Sequence, residues 1–402
     1  MKAGGWPSIL AIYVFGVLGV ACLSKMLPLA MDVQAATGAT PAQFAVLLSL
    51  LALPAAILAA VGGAVVDRVG ARRVLIVSAL IGVATDVGYW FAPSLHLFQA
   101  IRLCEGLTMV GVFTAGPALL MATTEGRRRV SAMTLWSTYT PTGFSLGLVL
   151  AAGFAGSAAW RRTFVLHGAL FALAAVLALW LPEPAPGARA APAGLASRVR
   201  DLLAIYAQFG PVRLALSFGV IICLGLGVSV VMPGYLSQTY GLSVGGASDL
   251  LAVANFAMIG GAFLTSAWLG AGRKPSLLFI GLGVVGSLAG AALFMKGVPM
   301  AGGVAALCVW LFASGAATAF ALAVLPGVLA DPTKGAAASG LFSQVSSVVT
   351  LLTPPFWLGV FAHGGSAAFV GVIVVGWVLS FLLLPAAATR TAPARVAAPA
   401  VH

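Results

Sequence analysis

Residues 42–73 decide how this chain is to be read. An apolar run over 42–65 closes on Gly63-Ala-Val-Val-Asp67-Arg68-Val-Gly70-Ala-Arg72-Arg73, and a second apolar run, 73–92, begins at once. Runs of about 20 apolar residues are what a helix needs to cross roughly 30 Å of hydrocarbon. The charges stand between the two runs, and the glycines permit a tight turn and close helix approach.

Working outward from this break, the same alternation fills the chain. Apolar runs bounded by Gly, Pro and charged residues predict spans near 9–30, 42–65, 73–92, 97–122, 130–155, 163–181, 212–237, 248–270, 275–295, 299–329, 335–361 and 366–388. Of 402 residues, 61% are hydrophobic and 7% are charged. Soluble proteins carry roughly a quarter charged residues, so a water-soluble surface cannot be built from this composition.

The net charge of +12 is explained by topology rather than by a polyanionic partner, because no basic stripe with interleaved aromatics is present. With the amino terminus inside, 16 of the 21 Lys and Arg residues fall on inner segments and span ends. Arg161, Arg162 and Lys296 fall outside, and Lys25 and Arg102 lie within spans. Basic residues are retained on the cytoplasmic side during insertion, so both termini are expected inside a bacterial inner membrane.

The longest polar interruption, Pro182 to Pro211, divides six spans from six. The expected organisation is a six-helix bundle over 1–181, a cytoplasmic linker over 182–211, and a second six-helix bundle with a short cytoplasmic tail over 212–402. Cys22, Cys104, Cys223 and Cys308 each fall in an apolar span without metal-ligand spacing, so neither a zinc site nor a disulfide framework is expected. The first apolar run continues beyond Met26 with no small-residue cleavage site, so it is read as a retained span.

The stretch from Gly63 to Arg73 resembles the signature loop of the major facilitator superfamily in both sequence and location. Arg102-Leu-Cys-Glu105-Gly106 at the start of span four resembles that family's Arg-x-x-Gln/Glu-Gly element, and Trp160-Arg161 resembles another common family feature. The resemblance implies an all-α fold of twelve transmembrane helices in two six-helix bundles. It also implies a cytoplasmic gate at Gly63, Asp67, Arg68, Gly70, Arg72 and Arg73, with Asp67 pairing a basic residue or a helix amino terminus. The matching place in the second half, Trp268-Leu-Gly270-Ala-Gly272-Arg273-Lys274, lacks the acidic residue. Pro141-Thr-Gly143-Phe-Ser-Leu-Gly147 partly resembles the family's antiporter motif, with Thr140 where that motif has glycine. Lys25, the Arg-x-x-Glu-Gly element and Trp136-Ser-Thr-Tyr139-Thr-Pro141 resemble the cyanate and nitroimidazole permease group.

An ionisable group deep in a span costs a few kcal/mol on insertion scales, so each should face protein or water and have a partner. Four qualify: Lys25, Asp86, Arg102 and Glu105. Counting from span ends at about 1.5 Å per residue puts Lys25, Asp86 and Arg102 each roughly 8 Å deep, in one layer. Arg102 and Glu105, three apart, can pair within one helix. That leaves Lys25 the least neutralised, and a cationic cavity wall of Lys25 and Arg102 would favour an anionic solute. Glu105 is the first candidate for proton coupling, with Asp86 in reserve. Asn255, Tyr235 and Gln344 with Ser343 and Ser347 suit hydrogen bonding to a small polar solute, and Trp136 with Tyr139 share a face that can bracket one.

The expected function is alternating-access transport of a small organic or inorganic anion, proton-coupled, with import favoured over export. Proton-driven efflux of a drug or metabolite is the alternative. An enzyme is not expected, because His96, His167, His363 and His402 are scattered without catalytic or metal-binding spacing. No cofactor or metal is expected, and the chain is expected to work as a monomer.

Overall fold

The computed structural model describes residues 1–182, 200, 203–331 and 335–389, with side chains throughout these except at 59–64, 67, 130, 335 and 336. The linker expected over 182–211 and the tail beyond 389 lie mostly outside the described residues.

In the first half the helices are α1 (Trp6–Ser24), α2 (Ala30–Thr37), α3 (Pro41–Leu50), α4 (Leu53–Val69), α5 (Ala71–Phe91), α6 (Leu95–Thr123), α7 (Gly126–Ser137), α8 (Tyr139–Ala152) and α9 (Arg162–Ala178). In the second they are α10 (Phe209–Tyr240), α11 (Val244–Ala254), α12 (Ala257–Gly270), α13 (Pro275–Phe294), α14 (Met300–Val328), α15 (Gly335–His363) and α16 (Gly365–Leu383). No strand is present among the described residues.

Among the described residues ten spans are long and apolar enough to cross a membrane, and the apolar helix α9 and the α7–α8 pair complete twelve. Three spans are broken near their middles: α3 hands over to α4 at 51–52, α7 to α8 at Thr138, and α11 to α12 at Asn255–Phe256. Proline sits in the first turn of α4 (Pro54) and of α8 (Pro141), where a missing N–H is tolerated. Thr40 opens α3 with a capping box, its hydroxyl accepting from the Gln43 amide at 3.3 Å and its own amide donating to the Gln43 side chain at 2.9 Å.

Two boundaries differ from expectation. The first span stops at Ser24 rather than reaching residue 30: a turn carrying Pro28 ends α1, and α2 is a separate short helix. The Gly63–Arg73 stretch is helical up to Val69 and again from Ala71, so Gly70 alone makes the joint, at φ 98° and ψ 138°. A side chain at that position would be strained.

The two halves repeat one packing plan. Span one packs on span five, two on four, and three on six; span seven packs on eleven, eight on ten, and nine on twelve. Without a hydrophobic drive in lipid, such contacts depend on close fit and small residues. Gly143 and Gly147 of α8 leave no room for a Cβ against Val17 and Ser24 of α1, and Gly227 of α10 does the same against Trp357 of α15.

The bundles meet where α3 and α4 pack on α15 and where α8 packs on α11. At the second seam Asn255 donates to the Pro141 carbonyl at 2.9 Å and to the Ser145 hydroxyl at 3.4 Å, while Ser145 donates to the Ala252 carbonyl at 2.7 Å. Gly245 packs directly against the Ala152 carbonyl. The contacts of this second seam lie in the half of the bundle remote from the chain's amino terminus, here called the far half.

Candidate functional site

Four helices of the first bundle place their polar side chains at one point near its far face. Lys25 caps the end of α1, Asp86 and Tyr89 stand one turn apart on α5, Arg102 and Glu105 share a face of α6, and His167 comes from α9. Each of the five ionisable groups, Lys25, Asp86, Arg102, Glu105 and His167, is at most 2% exposed.

The end of α1 explains part of this geometry. A helix leaves its last carbonyls without partners, and Arg102 supplies them: its Nη1 donates to the Cys22 carbonyl at 2.7 Å and its Nη2 to Leu23 at 3.4 Å. The same Nη1 binds Glu105 Oε2 at 2.7 Å, and Tyr89 donates its hydroxyl to that oxygen at 2.9 Å. Glu105 Oε1 lies 2.7 Å from Lys25 Nζ. Lys25 is also ion-paired with Asp86 Oδ1 and sits 2.8 Å from His167 Nδ1. His167 Nδ1 lies 2.7 Å from Asp86 Oδ2, and His167 Nε2 donates to the Leu18 carbonyl at 3.2 Å.

Two cations and two carboxylates therefore balance, and with a neutral imidazole the network carries no net charge. Buried ions are tolerable only when so paired and hydrogen-bonded. An aromatic shell lies beside them: Lys25 Nζ stands 5.5 Å from the Tyr89 ring and 5.6 Å from Phe164, and Phe98 lies against Tyr89 and Trp160.

Several expectations change. Lys25 is not the least neutralised charge, since it meets both carboxylates. Asp86, expected only as the reserve to Glu105, is one of the two. Lys25 and Arg102 do not form an open cationic wall in this conformation, because both are 0% exposed and the network is neutral. His167 is not scattered but central, a role its isolated position in the sequence could not signal. Ligand atoms of Cys22, Glu105 and His167 fall within 4.8 Å of one another. Glu105 and His167 are already spent on protein partners, and two cations stand against them, which does not suit a metal.

Of the other expected site residues, Trp136 is wedged between Gly16 of α1 and Gly116 of α6, and it is 7% exposed. Tyr139 packs between Trp136 and Phe113, with ring centroids at 4.8 and 5.1 Å. Beside them Tyr13 reaches Thr138 at 3.0 Å and Thr142 at 2.9 Å. Asn255 is 2% exposed and bridges the two bundles rather than facing an opening. Tyr235 donates to the Leu293 carbonyl at 2.9 Å, a contact within the second bundle. Gln344 accepts from Tyr206 at 2.8 Å, on a partly open stretch of α15 with Ser343, Ser346 and Ser347.

In the basic stretch Arg68 and Arg73 are exposed, and Arg72 donates to the Leu181 carbonyl at 3.2 Å. The side chain of Asp67, and with it the expected pairing, lies outside the described residues, as does the surrounding of Gly63.

Comparison with known proteins agrees with the architecture. A crystal structure described as a bacterial homolog of the human lysosomal transporter Spinster, inward-facing and unoccupied, superposes with a TM-score of 0.73 at 16% identity over 95% of each chain. The nucleoside transporter NupG superposes with a TM-score of 0.71 at 17% identity, covering 94% of this chain and 98% of its own. In sequence, 128 residues are 35% identical to solute carrier family 22 member 12 of Mus musculus, 32% of this chain and 22% of that one. A further 136-residue match is 38% identical to the 3-(3-hydroxy-phenyl)propionate transporter of Escherichia coli (strain K12), 32% of each chain. The chain thus spans a third or less of the length of these curated relatives. The Major Facilitator Superfamily profile matches residues 9–354, and with twelve spans in two repeated bundles the chain belongs to that superfamily of multi-pass membrane transporters.

Proposed function

We propose that the protein imports a small organic anion, a carboxylate, together with a proton across a bacterial inner membrane, by alternating access. The observation that carries this reading is the neutral, buried network of Lys25, Asp86, Arg102 and Glu105. A carboxylate that takes the place of Glu105 or Asp86 at Lys25 or Arg102 leaves a protein carboxylate unpaired in a dry site. An unpaired buried carboxylate favours its neutral form and takes up a proton. Anion and proton then travel together. The Escherichia coli relative is by name a transporter of 3-(3-hydroxy-phenyl)propionate, itself a carboxylate.

In this reading both termini are cytoplasmic, as the basic residues favour, and the linker over 182–211 joins the two moving bodies. The seam of Asn255, Ser145 and Pro141 then closes the outer side, and Gly63 to Arg73 forms part of the cytoplasmic gate. Gln344 and its neighbouring serines on α15 face the inner approach and contact the solute there, with Tyr139 and Asn255 joining as the bundles rock. The chain works as a monomer, and membership of the cyanate and nitroimidazole permease group is part of the same proposal.

The test is uptake by proteoliposomes of a panel of labelled carboxylates, 3-(3-hydroxy-phenyl)propionate among them, with and without an inside-alkaline gradient. Gradient-stimulated accumulation of a carboxylate is the expected result. Extrusion of apolar cationic drugs with no carboxylate uptake would replace the proposal with efflux.

A further inference from the structure

His167 is the one ionisable member of the buried network that no charge balance requires, and its ring is placed between incompatible partners. Nε2 faces the Leu18 carbonyl at 3.2 Å. A carbonyl only accepts, so Nε2 carries hydrogen. Nδ1 stands 2.8 Å from the Lys25 ammonium, which only donates, and 2.7 Å from Asp86 Oδ2, which as a carboxylate only accepts. With a lone pair, Nδ1 can bind Lys25 and must repel Asp86. With a hydrogen, it binds Asp86 and must repel Lys25. The single proton at Nδ1 decides which partner is held.

We infer that His167 is the proton-binding residue of the transport cycle, and that its protonation frees Lys25 to receive the anion. The inference rests on the proposed anion–proton import but puts His167 in place of Glu105 or Asp86 as the group that takes the proton, and it sets an order: the proton binds first. A proton from the outer water forms the Nδ1–H bond and is returned to the inner water when that bond breaks. Meanwhile the ring turns its hydrogen bond to Asp86, Lys25 loses a partner, and the network carries one net positive charge.

Every charged or titratable neighbour enters this balance. From α1 these are Lys25 and Cys22, from α5 Asp86 and Tyr89, and from α6 Arg102 and Glu105. Lys25 and Arg102 cancel Asp86 and Glu105, while Cys22 and Tyr89 are neutral. One added proton therefore matches one arriving anion, and the loaded network is neutral again.

The deciding experiment needs no substrate. A variant carrying His96→Asn, His363→Asn and His402→Asn keeps His167 as the single histidine, so solid-state NMR of this full-length protein, labelled with 15N-histidine in lipid bilayers, reads that ring alone. Over a pH series, Nδ1 should pass from lone pair to N–H on acidification while Nε2 keeps its hydrogen throughout. An Nδ1 unchanged across the series, or a neutral ring with hydrogen on Nδ1, overturns the inference.

In proteoliposomes, His167→Gln, whose amide N–H can hold Asp86 as the protonated ring does but cannot release a proton, should lose gradient-driven accumulation of labelled 3-(3-hydroxy-phenyl)propionate yet retain exchange of that compound at equal pH. Gradient-driven accumulation that survives the substitution overturns the inference, as does loss of both activities in a variant that elutes as folded protein. Wild-type protein that moves no carboxylate at all would sink the proposed function, and the NMR result would still decide whether His167 binds the proton.

Discussion

The two bundles share a packing plan and differ in what they bury. The first holds Lys25, Asp86, Arg102, Glu105 and His167 at no more than 2% exposure, whereas the buried polar residues described in the second are Ser, Thr and Asn. There Ser217 and Ser380 bond each other at 3.0 Å across α10 and α16, and Thr265 donates to the Ala316 carbonyl at 2.8 Å. Five ionisable groups in lipid-embedded helices are not needed to hold six helices together, because the described residues of the second bundle bury none. The charges of the first bundle are therefore expected to serve the transport cycle, and the comparison can be broken at several points.

The largest effect is expected from removing one ion alone. Lys25→Ala takes a cation from two buried carboxylates and should cost about 3–5 kcal/mol, the range for breaking a buried pair by deleting one partner. Thermal unfolding in detergent checks this. Lys25→Met combined with Asp86→Leu, which leaves Arg102 paired with Glu105 and the network neutral, should recover much of the stability without recovering gradient-driven transport. Recovery of both would make the network a structural device only.

Next come the glycine contacts that the halves share. Gly147→Ala in the first bundle and Gly227→Ala in the second both force a Cβ into a neighbouring helix, and overpacking of this kind typically costs about 1–3 kcal/mol. Similar losses of unfolding temperature are expected. A loss confined to one half would break the claim that the two share a packing plan.

Asn255→Ala removes two hydrogen bonds from the seam between the bundles. At about 0.6 kcal/mol for an average hydrogen bond between membrane helices, it should move the open–closed balance by severalfold toward a far side that is open, read by labelling of cysteines introduced there. Unchanged labelling would remove Asn255 from the seam's energetics. Ser217→Ala, whose lost hydroxyl lies 2.8 Å from the Ser380 carbonyl and 3.0 Å from its hydroxyl wholly within the second bundle, should lower the unfolding temperature slightly and leave transport unaffected.

The smallest effect lies outside the spans. Asp32 on α2 accepts from the Gly156 amide at 2.9 Å, and its partial burial raises its carboxyl above the ordinary value despite that bond. The folded state thus favours the protonated form, so stability is greatest below the usual carboxylate range and falls slightly as pH rises through it. Asp32→Asn should flatten this dependence, measured by thermal unfolding at about pH 3.5 to about pH 6. A steeper fall would contradict the assignment.

The spans were legible because lipid imposes length and apolarity on every one of them, and the basic inner segments stood out for the same reason. Arg102 with Glu105 was legible because the pair lies within one turn of one helix. Lys25 with Asp86 and Glu105, Arg102 with the Cys22 carbonyl, and His167 with Asp86 were not, since these partners are 61 to 81 residues apart and depend on how four helices rotate about their axes. The end of α1 at Ser24 was missed because hydropathy continues through the turn. That error also concealed why Arg102 is needed beside α1's last carbonyls.

The most direct test loads proteoliposomes with a pH-reporting dye and adds 3-(3-hydroxy-phenyl)propionate outside, with no gradient imposed at the start. The account predicts that labelled anion and protons enter the lumen together in wild-type vesicles, one for one, and that Glu105→Gln uncouples or abolishes this joint movement. Carboxylate uptake by the wild type with no acidification of the lumen would contradict it.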